Sequence, residues 1–172
     1  MTAIALNTDE KFYEGEKLVC FKSGFLSQWF IADVIRDDGL KFNCCEQEMM
    51  YEKAMLFKNH EIAAKVLEVI NPSEHKALGR AVTGFVKEEW DAVADEIVFQ
   101  ANFKKFSQHP ELKEKLLATG TKIIVESAPY DTEWGNGLNI TDTLATPMEE
   151  WRGKNRLGKA IMRVRDVLTK EI

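Results

Sequence analysis

The chain has 172 residues, 45% of them hydrophobic and 30% charged, with a formal net charge of −5. That length and balance suit one globular domain with its own core, and the acidic surplus argues against a surface that coats nucleic acid while leaving room for a local basic pocket. No apolar run reaches bilayer-spanning length and no basic-then-apolar signal opens the chain, so no membrane partner is expected. Cys20, Cys44 and Cys45 are odd in number and two are adjacent, which fits neither a disulfide framework nor a zinc spacing; the reading is a reduced, cytoplasmic protein. His60, His75 and His109 are scattered without ligand-like spacing, so neither a metal site nor a cofactor is expected.

Residues 1–16 are polar and aperiodic and read as a flexible leader, which places the folded domain over 17–172. Leu18 to Phe21 and Trp29 to Val34 read as short strands, Asp37-Asp38-Gly39 as a turn, and Leu40 to Phe42 as a third strand. Together they predict a small antiparallel sheet.

From Cys45 the period becomes helical. Glu46, Met49, Met50, Lys53, Ala54 and Phe57 share one face, and Gln47, Glu48, Glu52 and Lys58 are expected on the solvent side. Glu46 and Lys53 thus sit on the Met-rich stripe, where a charge has to be paired, placed at the edge, or turned towards a pocket. Glu61 to Val69 reads as a second helix. Asn71-Pro72-Ser73-Glu74 is a start signal for a third, with Asn71 as the N-cap. On that helix Lys76, Gly79 and Arg80 fall at i, i+3 and i+4. Two cations around a glycine can grip a phosphate; equally, they form a solvated basic face with Gly79 serving close helix packing.

Lys87 to Ser107 predicts the longest helix, with Trp90, Ala94, Ile97, Ala101 and Lys105 along one stripe. Trp90 and Lys105 are candidates to reach a site, and Trp90 is equally well read as core. A further helix runs from His109-Pro110 to Thr119-Gly120. Ile123-Ile124-Val125 then reads as a buried strand, followed by a loop that carries Asp131, Glu133 and Trp134 into Gly135-Asn136-Gly137. Such a loop is either an active-site wall or a polar turn with its Trp folded back onto the core. Asn139 to Glu149 reads as a long loop, and Leu157, Ile161, Val164 and Leu168 as the inward face of a last helix. The pattern as a whole predicts a mostly helical α+β domain.

Several segments, in order, resemble the NADAR (YbiA-like) family. They are Gly24-Phe25-Leu26-Ser27; Glu46-Gln47, Met49-Met50 and Lys53-Ala54; Pro72, Lys76, Leu78-Gly79-Arg80 and Trp90; Lys105-Phe106; Leu116 to Gly120; Val125-Glu126; Asp131; Trp134-Gly135-x-Gly137; and Trp151-x-Gly153-x-Asn155-x-Leu157-Gly158 with Met162 and Arg165. Gln28, Glu48 and Asn136 depart from the usual family residues.

The resemblance implies an N-glycosidase acting on the bond between ribose C1 and the nitrogen of a base. It associates two substrate classes with the fold. One is ADP-ribose on guanine in nucleic acid; the other is the phosphoribosylamino-pyrimidines of riboflavin synthesis. A toxin partner that adds the ADP-ribose mark is not visible in this sequence.

Under that resemblance Glu46 and Asp131 are expected to serve the ribose as catalytic carboxylates. Lys53 is either a desolvated amine that attacks C1 and forms a Schiff base or a charged partner of Glu46. Lys76 and Arg80 are expected to hold phosphate and Trp134 and Trp90 to stack on the base, while Ser27, Gly135, Lys105 and Asn155 complete the expected binding set. A non-catalytic ADP-ribose or NAD-binding module and a purely structural protein remain alternatives. A Rossmann dehydrogenase is disfavoured, because Gly135-x-Gly137 has no third glycine and no helix starts there.

Overall fold

The computed structural model describes residues 11–172. In chain order they form β1 (Phe12–Glu14), β2 (Leu18–Phe21), β3 (Val34–Ile35), β4 (Lys41–Phe42), α1 (Cys45–Leu56), α2 (His60–Glu68), α3 (Pro72–Arg80), α4 (Lys87–Gln108), α5 (Pro110–Ala118), β5 (Ile123–Glu126), α6 (Ile140–Ala145) and α7 (Arg156–Lys170), with a 3-10 turn at Met148–Glu150. The fold is α+β and mostly helical, as the periodicities predict. Of the expected leader, residues 1–10 lie outside the described residues, and Phe12–Glu14 form β1 rather than a frayed end.

The chain divides into two compact units, Gln28–Lys115 and Met1–Ser27 with Leu116–Ile172. In the first, α1 packs on α2, α3 and α4. A helix enclosed on more than one side cannot keep a polar face in water. Gln47 and Glu48, expected on the solvent side, are therefore buried, at 4% and 3% exposure. Both find partners: Gln47 accepts the Asn43 N–H at 2.6 Å and donates to the Val66 carbonyl at 2.9 Å, and Glu48 pairs with Lys104 at 2.5 Å.

β3 and β4 form a two-stranded antiparallel hairpin. The expected strand from Trp29 survives only as Val34–Ile35; the preceding residues turn, and Ala32 is tied to the Asn43 carbonyl at 3.0 Å. The side chain of Gln108, at the end of α4, satisfies the free edge of β3 by accepting the Ile35 N–H and donating to the Ile35 carbonyl. Val34, Phe42, Cys45 and Ala101 are packed beneath.

In the second unit β2 lies between β1, antiparallel, and β5, parallel, with Leu18 opposite Ile123. The sheet is thus mixed rather than antiparallel throughout, and a central strand flanked on both sides explains why Val19, Cys20 and Phe21 are wholly buried. α7 packs along β5 with Leu157, Ile161, Val164 and Leu168 fully inside, the stripe its sequence predicts. Ile140 of α6 packs on Cys20 and Val125. This short helix occupies part of the expected loop 139–149, and Asn139 caps it by accepting the Asp142 N–H at 2.7 Å.

Candidate active site

Within Gln28–Lys115 the unusual charges of α1 face the same group of side chains. Glu46 is 7% exposed, and its backbone N–H donates to the Gln28 carbonyl at 3.0 Å. Gln28 is itself held by Asn102 of α4, whose amide donates to its side-chain oxygen at 2.8 Å. Two turns beyond Glu46, the Lys53 ammonium lies 4.6 Å from the Phe85 ring centroid and 6.0 Å from that of Trp90. Burial pushes the Lys53 pKa below the ordinary lysine value; the nearby Arg80 charge pushes the same way and the Glu46 carboxylate opposes both. Glu46, Arg80 and Trp90 thus all lie near the Lys53 ammonium.

Phe85 was not among the expected residues. It stands in an irregular segment before α4, where no periodicity marks it. Arg80 is exposed and Lys76 half-buried, its ammonium 5.9 Å from the centroid of the exposed Trp29 ring. Gly79 faces the other way. A Cβ there would come within 1.9 Å of the Met50 sulfur, so its lack of a side chain serves the packing of α3 on α1.

Lys105 is fully buried, with its ammonium 5.1 Å from the Phe106 centroid and 5.4 Å from that of Phe30. It presents no surface to a ligand. Burial lowers its pKa, and the neighbouring Cys45 and Cys44 oppose that. The thiols are not nucleophiles at neutral pH, because burial pushes Cys44 up to about 11 and Cys45 to about 12. His75, also buried, donates from Nε2 to the Val69 carbonyl at 2.7 Å, so its Nδ1 accepts from the Cys44 thiol at 3.7 Å. That pair is structural.

In the other unit the loop after β5 is folded onto the start of α7. The backbone N–H groups of Asn155, Arg156 and Leu157 donate to the carbonyls of Gly135, Glu133 and Trp134 at 3.0, 3.3 and 3.1 Å. The loop thus satisfies the donors a helix start leaves open. Gly153 and Gly135 touch so closely that a Cβ on Gly153 would lie 2.3 Å from the Gly135 oxygen.

Asn155, with φ 51°, turns its side chain back to the sheet edge, where it accepts the Glu126 N–H and donates to the Ile124 carbonyl, both at 3.0 Å. It holds β5, and Gly135 is buried; neither faces solvent. Asp131 and Trp134 are half-buried. Over the Trp134 indole, 4.3 Å from its centroid, lies the Arg156 guanidinium, which also reaches Glu133 at 3.4 Å. Arg156 escaped the sequence reading because its partners lie more than twenty residues away. Ser27, half-buried, closes the turn after β2 through its N–H to the Gly24 carbonyl at 2.9 Å. Among the described residues no three His, Cys, Asp or Glu side chains are grouped as metal ligands, and no helix is long and apolar enough to cross a membrane.

A family model described as the NADAR domain matches residues 11–169. The chain is 38% identical over 144 residues to N-glycosidase R617 of Acanthamoeba polyphaga mimivirus, covering 81% of this chain and 85% of that one. It is 30% identical over 142 residues to N-glycosidase YbiA of Escherichia coli (strain K12), covering 83% and 80%. The NMR structure of the E. coli protein YbiA superposes with a TM-score of 0.74 at 25% identity, over 95% of this chain and 92% of that one.

Proposed function

We propose, because this chain belongs to the NADAR domain family and is an N-glycosidase, that it removes ADP-ribose from guanine bases in nucleic acid. The observation that carries this reading is the Lys53 amine, half-buried among Glu46, Arg80, Phe85 and Trp90 with its pKa lowered by burial. A lysine in that setting has an enlarged neutral fraction and can act as a nucleophile. Arg80, exposed at the end of α3, and Lys76, one turn before it, supply positive charge for a diphosphate, and Trp90 and Phe85 supply ring faces.

In the reaction the Lys53 nitrogen bonds to ribose C1 as the C1–N bond to the base breaks, and Glu46 relays the proton from the amine to the departing nitrogen. Opening of the ribose ring then gives an imine, and water adds to C1 to return free ADP-ribose and the amine. The family resemblance assigns Asp131 to the ribose as a carboxylate; within its own unit its Oδ1 accepts the Glu133 and Trp134 N–H groups.

The test is release of ADP-ribose from an oligonucleotide carrying ADP-ribosylated guanine, followed by chromatography. Borohydride is added in a parallel arm to trap the imine on Lys53. Release with trapping supports the reading; active enzyme that never traps removes the covalent step. The net charge of −5 favours a second reading, a phosphoribosylamino-pyrimidine of riboflavin synthesis. Absence of release from the oligonucleotide, with turnover of that small riboside, would decide for it.

A further inference from the structure

α1 opens without a side-chain cap, since Cys44 at its N-cap position makes no such hydrogen bond. The first N–H groups of a helix have no partner inside it, so another part of the chain has to supply one. For Glu46 that partner is the Gln28 carbonyl, at 3.0 Å. The carboxylate assigned to the proton relay therefore takes its place from a turn outside its own helix.

Gln28 is fixed in its turn by Asn102, a wholly buried side chain of α4. The Asn102 amide nitrogen donates to Gln28 Oε1 at 2.8 Å and to the Val98 carbonyl, one turn back, at 2.9 Å. Its Oδ1 accepts the Cys45 thiol at 3.8 Å, and Cys45 immediately precedes Glu46. Burial, which pushes Cys45 up to about 12, keeps the proton on that thiol, so sulfur is the donor.

Asn102 thus reaches Glu46 by two routes, through Gln28 to its backbone N–H and through Cys45 along the chain. An apolar side chain of similar volume would fill the same space. What the amide adds is direction, because each of its bonds sets a distance and an angle in a part of the core where neither partner is free to turn to water. We propose that Asn102 is a positioning residue for the N-glycosidase reaction, fixing through Gln28 and Cys45 where the Glu46 carboxylate stands relative to the Lys53 amine. The inference rests on the role given above to Glu46, and it requires no contact between Asn102 and substrate.

The experiment compares Asn102→Leu, Gln28→Met and the double variant with the wild type by two readouts on the full chain. The first needs no substrate: amide hydrogen exchange at Glu46, followed by two-dimensional NMR. Each single variant should exchange there at least about tenfold faster, while the amides of α7 keep their wild-type rates. The second is steady-state kinetics on whichever of the two ribosides named above the wild type turns over. A misplaced relay slows the chemical step without loosening the bound substrate, so kcat should fall by about ten- to 100-fold with KM close to that of the wild type. The double variant should fall no further than the worse single one, because both changes cut the same bond. If Asn102→Leu does not fold, Gln28→Met removes that bond from its less buried end.

Glu46→Gln is measured alongside. Full turnover in that variant would remove the role of Glu46 and the proposal with it. Lost turnover in Glu46→Gln, with folded Asn102→Leu and Gln28→Met at the wild-type kcat, would overturn the positioning role alone. Wild-type exchange at Glu46 in both single variants would also overturn it, as would a loss confined to KM.

Discussion

Asp131 receives the backbone N–H of Trp134 on its Oδ1 at 2.8 Å, and the same oxygen accepts the Glu133 N–H at 3.0 Å. One oxygen shapes the loop, and the proposed role at the ribose rests on the charge of the carboxylate. Asp131→Asn keeps an oxygen for both backbone donors and removes only the charge. Its melting temperature should stay near that of the wild type while turnover falls by about 100-fold or more. Asp131→Ala loses the staple as well and should cost about 1 kcal/mol for each lost bond, read by denaturant unfolding. An Asn variant with full turnover would reduce Asp131 to a loop-forming residue.

Lys53 predicts the shape of the pH profile. In the proposed reaction only the neutral amine attacks, and burial holds its pKa below the ordinary value of 10.5. The rate should rise with pH and level off before 10.5 is reached. Lys53→Arg keeps the charge but never yields a neutral amine, so it should lose both the rising limb and the borohydride adduct. A wild-type profile without any rising limb argues that Lys53 works as a cation.

Lys105 makes a prediction about stability. Its pKa is lowered in the folded chain, so at low pH, where folded and unfolded chains are both protonated, the cost of burying the charge is present in full. As pH rises through the folded pKa towards 10.5 that cost is relieved. The difference in unfolding free energy between wild type and Lys105→Met should therefore shift in favour of the wild type as pH rises. A difference independent of pH would mean that Lys105 titrates alike in both states.

Gly153→Ala should be among the most damaging small substitutions. Its Cβ would meet the backbone of residues 135–137, 2.3 Å from the Gly135 oxygen and 2.7 Å from the Asn136 carbonyl carbon. Backbone cannot swing aside as a side chain can, so about 1–3 kcal/mol of stability should be lost, more if the start of α7 is displaced. Gly79→Ala meets the sulfur of a flexible methionine instead and should cost less. Thermal unfolding of the two variants side by side checks the order.

The helices were readable where local chemistry announced them. Asn71 before Pro72 marked the start of α3, and the apolar stripe of α7 marked its inner face. The charges on α1 were misread on one side, because Glu48 is buried against Lys104 from a distant stretch of α4, and no local pattern records that pairing. α6 was missed because Thr-Asp-Thr is weakly helical; its Asn139 cap was the available signal. The Glu46–Lys53 pair stood out because two charges shared an apolar stripe. The stacking of Arg156 on Trp134 had no such mark, since it depends on how a loop folds back on a helix start.

The parallel pairing of β2 with β5 sets the order in which the chain can assemble. Leu18 to Phe21 have no sheet partner on that side until Ile123 to Glu126 exist, and roughly 100 residues separate the two strands. During synthesis all of Gln28–Lys115, which is continuous, emerges before β5 does. β2 must therefore wait, apolar and paired only with β1, while the helices around α1 are completed. Its closing step is a long-range encounter, the slow kind in which exposed strand edges are most open to wrong partners.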